Sequence, residues 1–308
     1  MNKKEDIVSG LKRLGITKGD TLFLRISYKA IGKTEGGPDT VIDAIEEVIG
    51  TEGTIIATAF PNRQLAFGFQ KKIIYEPGKD ITTGVIPVLL SKREGAYFSS
   101  NPISPFVCLG KNAKVLTEYH TPDKHNIDLI AKAIEICSPK CLRIGGSALD
   151  GTTHLAFSEG LVKNHQYNIR MPEGIYYYDN RGRLRFQYQT MSQFCTEGFR
   201  RFYEQYILTD PSAVLGEGLI GQGKAVLTDM RRTLEIERER ISPNPQIILC
   251  DNPQCIHCRS SYTYSEFTSI QYVFKLIKMK FSGEYTGRHL VRDIKDILFL
   301  FFFGRKCQ

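Results

Sequence analysis

The chain has no apolar leader. It opens Met1-Asn2-Lys3-Lys4-Glu5-Asp6, so export through a signal peptide is not expected. No apolar run is long enough to cross a bilayer, which takes roughly 20 residues; the longest, Ile297 to Phe303, falls far short. There is no internal repeat and no low-complexity tract, which excludes repeat architectures and compositionally biased segments. No nucleic-acid-binding module accompanies the net charge of +8, so a nucleic-acid partner is not expected either. Eight cysteines in a leaderless chain argue for reduced thiols rather than a disulfide framework, and for a cytoplasmic location.

What is present is ordinary globular composition: 308 residues, 42% hydrophobic and 24% charged, at the upper edge of one domain. The charge is uneven. From Arg259 to Gln308 nine Lys/Arg face four acids, so that tail carries +5 and the other residues only +3.

Periodicity predicts helices over Ile7–Leu14, Asp39–Ile49, Val85–Ser91, Lys111–Glu118, Asp128–Ile136, Met191–Tyr206 and Met230–Arg240. Short apolar runs predict strands over Thr21–Leu24, Thr54–Ala57, Phe106–Leu109, Cys141–Ile144 and Lys224–Thr228. Ile175–Tyr178 and Leu184–Tyr188, joined by Asp179-Asn180-Arg181-Gly182, read as a β-hairpin. The alternation implies an α/β fold, a layered mixed sheet flanked by helices. Pro243 and Pro245 mark a boundary between an α/β domain, 1–245, and a C-terminal extension, 246–308.

The most informative stretch is Gly19 to Phe60: strand, polar loop, capped helix, strand. A loop of Ser, Lys and Gly leading to a helix N-terminus suits an anionic cofactor, because free N–H groups point there. These residues resemble the aminoglycoside N3-acetyltransferase family. The resemblance continues through Tyr75-Glu76-Pro77, Thr83-Gly84-Val85-Ile86-Pro87, Ser99-Ser100-Asn101-Pro102, Gly110-Lys111-Asn112-Ala113 and Thr153 to Glu159, and weakly through Gly216–Ala225. It covers roughly four fifths of the chain in collinear order. It implies an antibiotic N-acetyltransferase-like fold, acetyl-CoA as co-substrate, no metal, and an amino group on an amino sugar or aminoglycoside as acceptor.

The family's His-Ser-Ser-Leu at the cofactor slot is here Arg25-Ile26-Ser27-Tyr28. The resemblance thus places Arg25, Ser27, Tyr28 and Ser99 on the cofactor, and Asn101 and Asp128 near the acceptor. Arg25 suits a phosphate; a strand-end arginine in a surface ion pair is the plainer reading. Asn101-Pro102 is also an ordinary turn signal, and Asp128 an ordinary helix N-cap. The family's Thr-x-x-His-x-x-Glu arrangement meets Thr153-His154-Leu155-Ala156-Phe157-Ser158-Glu159: Ala156 stands at the histidine position, and His154 comes two residues early. The catalytic expectation rests on Glu159 and His154. The alternative is a non-catalytic or weakly active descendant that keeps the fold and binds CoA or sugar, or supports polysaccharide assembly. An acyl-cysteine route through Cys108 or Cys195 has no base beside it.

Cys250, Cys255, His257 and Cys258 fall within nine residues, but no second Cys-x2-Cys knuckle follows, and thiols without metal are the expectation. From Tyr262 onward aromatics alternate with bases, which suits peripheral contact with anionic lipid, or packing on the core or on a second subunit in a homodimer.

Overall fold

The computed structural model describes residues 1–65, 71–125, 127–146, 152–153, 155–156, 170–190, 198–244, 247, 250–251 and the single positions 274, 278 and 281; for 170–173 and 189–190 it describes backbone only. Seven strands form the main sheet: β1 (Thr21–Ile26), β2 (Thr54–Thr58), β4 (Tyr97–Phe98), β5 (Phe106–Gly110), β6 (Lys140–Ile144), β9 (Val214–Ile220) and β10 (Gly223–Asp229). Their order is β4-β5-β2-β1-β6-β10-β9. The central three, β2, β1 and β6, run parallel, while β5 and β10 flank them antiparallel. The sheet is therefore mixed, as the alternation of elements implied. A second, antiparallel sheet orders β3 (Gln64–Leu65), β7 (Arg170–Tyr178) and β8 (Leu184–Thr190).

Helices cover both faces of the main sheet. On one side lie α1 (Lys4–Arg13), α2 (Tyr28–Ile31), α3 (Asp39–Ile49) and α4 (Val85–Leu90). On the other lie α5 (Ala113–Tyr119), α6 (Asp128–Cys137), α7 (Arg201–Thr209) and α8 (Met230–Ile241). Alternation along the strands splits the core accordingly. Leu22, Leu24, Ile55, Leu142 and Ile144 pack with Ile7, Leu11, Ile42 and Ile45 on the first side. Phe23, Ile56, Cys108 and Cys141 pack with Leu129, Ile130, Phe202 and Leu234 on the second. The α3 helix shows why the local sequence folds as it does. Asp39 sits in its positive first turn, Gly50 ends it at φ 64°, and Val41, Ile42, Ile45, Val48 and Ile49 form its buried stripe.

The residues expected to join the second domain are not all detached from the first. Arg201 on α7 donates to the Ile247 carbonyl and pairs with Asp251, and Cys250 is buried. Among the described residues, no helix is long and apolar enough to cross a membrane, and no group of three His, Cys, Asp or Glu could hold a metal ion. Cys255, His257, Cys258 and nearly all of the basic, aromatic tail lie outside the described residues.

Candidate active site

Parallel strands joined by crossovers leave a crevice beyond their carboxyl ends, where ligands of open α/β sheets bind. Here a cleft of about 200 Å³ opens there, lined by Leu24, Arg25, Ile26 and Ser27 at the end of β1, Thr58 at the end of β2 and Gly145-Gly146 after β6. Thr83, just before α4, and Ile86 and Pro87 in its first turn close the fourth side. The Thr83 hydroxyl donates to the Thr58 carbonyl at 2.5 Å and ties that segment to β2.

Two of the sequence-predicted residues, Arg25 and Ser27, come together in this cleft. Ser27 immediately precedes α2, yet its side chain does not cap that helix. The Ser27 N–H donates to the Ile144 carbonyl and the Gly145 N–H to the Lys224 carbonyl, so those two backbone donors serve the fold. Gly145 takes φ +65°, and a Cβ there would lie 2.2 Å from Ala30 Cβ, so only glycine lets α2 seat against the end of β6. The polar loop expected after β1 thus contains a single helical turn. Tyr28 turns inward from it to the α-helical side, where its hydroxyl bonds to Thr34 Oγ1 at 2.8 Å.

Ser99 and Asn101 do not line the cleft; both are fully buried. Asn101 Nδ2 donates to the Thr121 and Lys124 carbonyls at 3.3 and 3.0 Å, and Oδ1 accepts from the Ile103 and Ser104 N–H groups at 3.1 Å each. Its whole hydrogen-bonding capacity organises two turns. Ser99 Oγ accepts from the Phe106 N–H at 2.9 Å and lies 3.1 Å from His120 Nδ1. His120 Nε2 is 3.0 Å from the His125 carbonyl and must donate to it; Nδ1 is then bare and accepts from the Ser99 hydroxyl. The arrangement has the look of a nucleophile and its base, but it is sealed inside the core. Asp128 begins α6 and accepts from the His125 N–H at 2.8 Å, a turn-closing role.

Burial pushes the His120 imidazole below its usual range, and His125 likewise. An imidazole kept neutral in the fold but protonated once unfolded costs stability in acid. Stability is therefore complete above the unfolded value of about 6.5 and declines as pH falls through it toward the depressed folded value. Thermal melts between pH 8 and 5 should show this decline, and His120→Gln should flatten part of it. An unchanged slope would assign the acid sensitivity elsewhere.

Cys108 was an open candidate for a covalent route. It is fully buried, and burial pushes its thiol far above the ordinary range, so it is no nucleophile. Cys195 lies outside the described residues, as do His154 and Glu159.

Their neighbours are described. Thr152, Thr153, Leu155 and Ala156 are helical and buried, and Leu155 and Ala156 join the second core cluster. The Thr153 hydroxyl and the Tyr206 hydroxyl both donate to Oε1 of Glu237, a fully buried carboxylate on α8. Sequence reasoning missed Glu237. It reads there as one more acid on a charged helix, and only the convergence of two hydroxyls marks it.

Fold and cleft together define an α/β protein with a ligand crevice at the ends of its parallel strands. Residues 23–242 match the family model described as aminoglycoside 3-N-acetyltransferase. The chain belongs to that family. It is 30% identical over 168 residues to aminoglycoside N(3)-acetyltransferase VII of Streptomyces paromomycinus, covering 49% of this chain and 58% of that one. It thus spans little more than half the length of that curated relative. Among solved structures, AAC-IIIb in its binary complex with CoASH superposes with a TM-score of 0.65 at 20% identity, over 78% of this chain and 96% of that one. AAC-VIa bound to sisomicin gives 0.66 at 19% identity, over 78% and 97%. At such identities the likeness is one of fold.

Proposed function

We propose that this protein is an acyl-CoA-dependent N-acetyltransferase that moves an acetyl group directly onto an amine of an amino sugar or aminoglycoside. The observation that carries the reading is the cleft at the ends of β1, β2 and β6, in a chain of this family, with Ser27 and the glycine-cradled Gly145-Gly146 turn on its wall. The relatives support both ligands: one solved neighbour is bound to CoASH and another to sisomicin.

Acetyl-CoA, when bound, supplies the thioester electrophile. The apolar wall of Leu24, Ile26, Ile86 and Pro87 suits a pantetheine arm, and Ser27 and Gly146 are polar positions on the same wall that could meet its amides. In this scheme the acceptor nitrogen attacks the thioester carbon, its proton passes to Glu159 assisted by His154, and CoA leaves as the thiol once protonated. Glu237 acts behind them by fixing the Thr152–Thr153 turn from which that segment departs. In this reading the transfer domain is residues 1–245, followed by a C-terminal extension of residues 246–308.

One observation favours the second reading, a fold-retaining binder. Ala156, where the motif calls for histidine, is packed among apolar side chains. Release of CoA thiol from acetyl-CoA, measured with the full chain across amino sugars and aminoglycosides, separates the two. Turnover with at least one acceptor is expected, reduced about 10²- to 10⁴-fold in Glu159→Ala and unchanged in a chain ending after Asp251. Measurable CoA binding without release for any acceptor would decide for the binder.

A further inference from the structure

We propose that the outward face of the β7–β8 hairpin is a membrane-contact surface that seats on anionic lipid headgroups. The surface lies apart from the cleft and stands or falls without the transferase reading. Register pairs Tyr176 with Phe186 and Tyr178 with Leu184, so these four side chains share one face of the small sheet, with Tyr188 beyond them opposite Gly174. The other face packs inward. Ile175 is fully buried with Tyr75 and Ile103, and Gln187 Nε2 donates to the Pro122 carbonyl at 3.1 Å.

An antiparallel sheet with one face on the core ordinarily turns polar side chains to water on the other. This one does the reverse. Beside the turn, Tyr178 is 59% exposed and Leu184 37%, and no charged residue stands on that face between Gly174 and Tyr188. Contiguous exposed apolar side chains mark interaction sites. The rim of the face carries positive charge. Lys72 Nζ sits 5.0 Å from the centroid of the Tyr176 ring, and Lys71 is exposed next to it. Arg181 is exposed in the turn, and Arg183 and Arg185 share a single acid, Asp179.

An apolar face with a cationic rim calls for an anionic partner, and the same charges repel a second copy seated face to face. The rings decide between the anionic partners. Tyr176 meets Phe186, and Phe186 meets Tyr188, edge to face at 4.8 and 4.9 Å. A ladder closed in this way offers no open slot for the base stacking that holds single-stranded nucleic acid. A lipid surface needs no such slot. Tyrosine puts its ring among acyl chains and its hydroxyl at the headgroups, and lysine and arginine beside it are drawn to an anionic leaflet.

The chain contains no tryptophan, so Tyr178→Trp gives the full-length protein one fluorescent reporter on this face. Vesicles of phosphatidylcholine mixed with phosphatidylserine should shift its emission to the blue, and brominated acyl chains in those vesicles should quench it. Pure phosphatidylcholine vesicles should bind roughly tenfold more weakly, and raised salt should release the protein. In a flotation assay the double change Tyr178→Ser with Leu184→Ser should lower affinity for the mixed vesicles, again roughly tenfold. Equal flotation of wild type and the folded double variant overturns the surface. Should that variant fail to fold, the reporter decides alone: an emission maximum unmoved by vesicles with which the chain floats places the contact elsewhere and overturns it too. So does a chain that floats with neither vesicle. An emission shift with oligothymidylate but not with vesicles would make the partner a nucleic acid and equally sink the proposal.

Discussion

Asn101→Ala is expected to lower the free energy of unfolding by about 3–5 kcal/mol, among the largest losses a single substitution in this chain can cause. The truncation strands two carbonyls and two N–H groups that the amide now serves, at Thr121, Lys124, Ile103 and Ser104. Each buried group left without a partner costs about 1–3 kcal/mol, and partial access to water at the Thr121 and Lys124 end holds the total below the simple sum. Asn101→Asp should fare no better, since a carboxylate accepts twice but cannot donate to the two carbonyls. A urea titration checks both: midpoints within experimental error of wild type would mean that the turns hold themselves without the amide. Because Asn101 does not line the cleft, activity per folded molecule should survive. That outcome separates a framework role from an acceptor contact.

The second large effect is at Gly145. Gly145→Ala places a methyl where Ala30 Cβ already sits and imposes a left-handed conformation on a residue with a side chain. The conformational part costs about 1 kcal/mol. The clash is the larger consequence, because relieving it means prising α2, and Ser27 before it, away from the end of β6. CoA affinity is expected to drop at least tenfold, about 1.4 kcal/mol. The companion change Ala30→Gly should restore most of it by vacating the space. Failure of the double variant to recover would mean that the backbone angle, and not the contact, sets the geometry.

The fold was legible wherever burial obeyed a period. The Asp39–Ile49 helix and the hairpin around Asp179–Gly182 follow from stripes and turn chemistry visible in the sequence, and the structure has both. The strand Val214–Ile220 was missed because two glycines, Gly216 and Gly218, break its pattern. Its first glycine is there for a tertiary reason: a Cβ at Gly216 would lie 2.3 Å from the Leu14 carbonyl, so the end of α1 can approach only a bare backbone. Two-residue strands such as Tyr97–Phe98 carry no period at all.

The site divides in the same way. Arg25 and Ser27 drew notice as a strand end feeding a serine-bearing loop, and both line the cleft; the Gly145-Gly146 turn beside them was not singled out in the sequence. Ser99 and Asn101 misled because small polar residues before proline read equally as site mouth or as turn. Only counting their partners shows that they face inward.

The walls of the cleft come from residues 24–27, 58, 83, 86–87 and 145–146, brought together by three strands whose neighbours in space are remote along the chain. No short excised peptide can carry this pocket, and no single grafted loop can transplant it. Anyone wishing to move it to another scaffold must move the whole sheet centre with both of its crossovers.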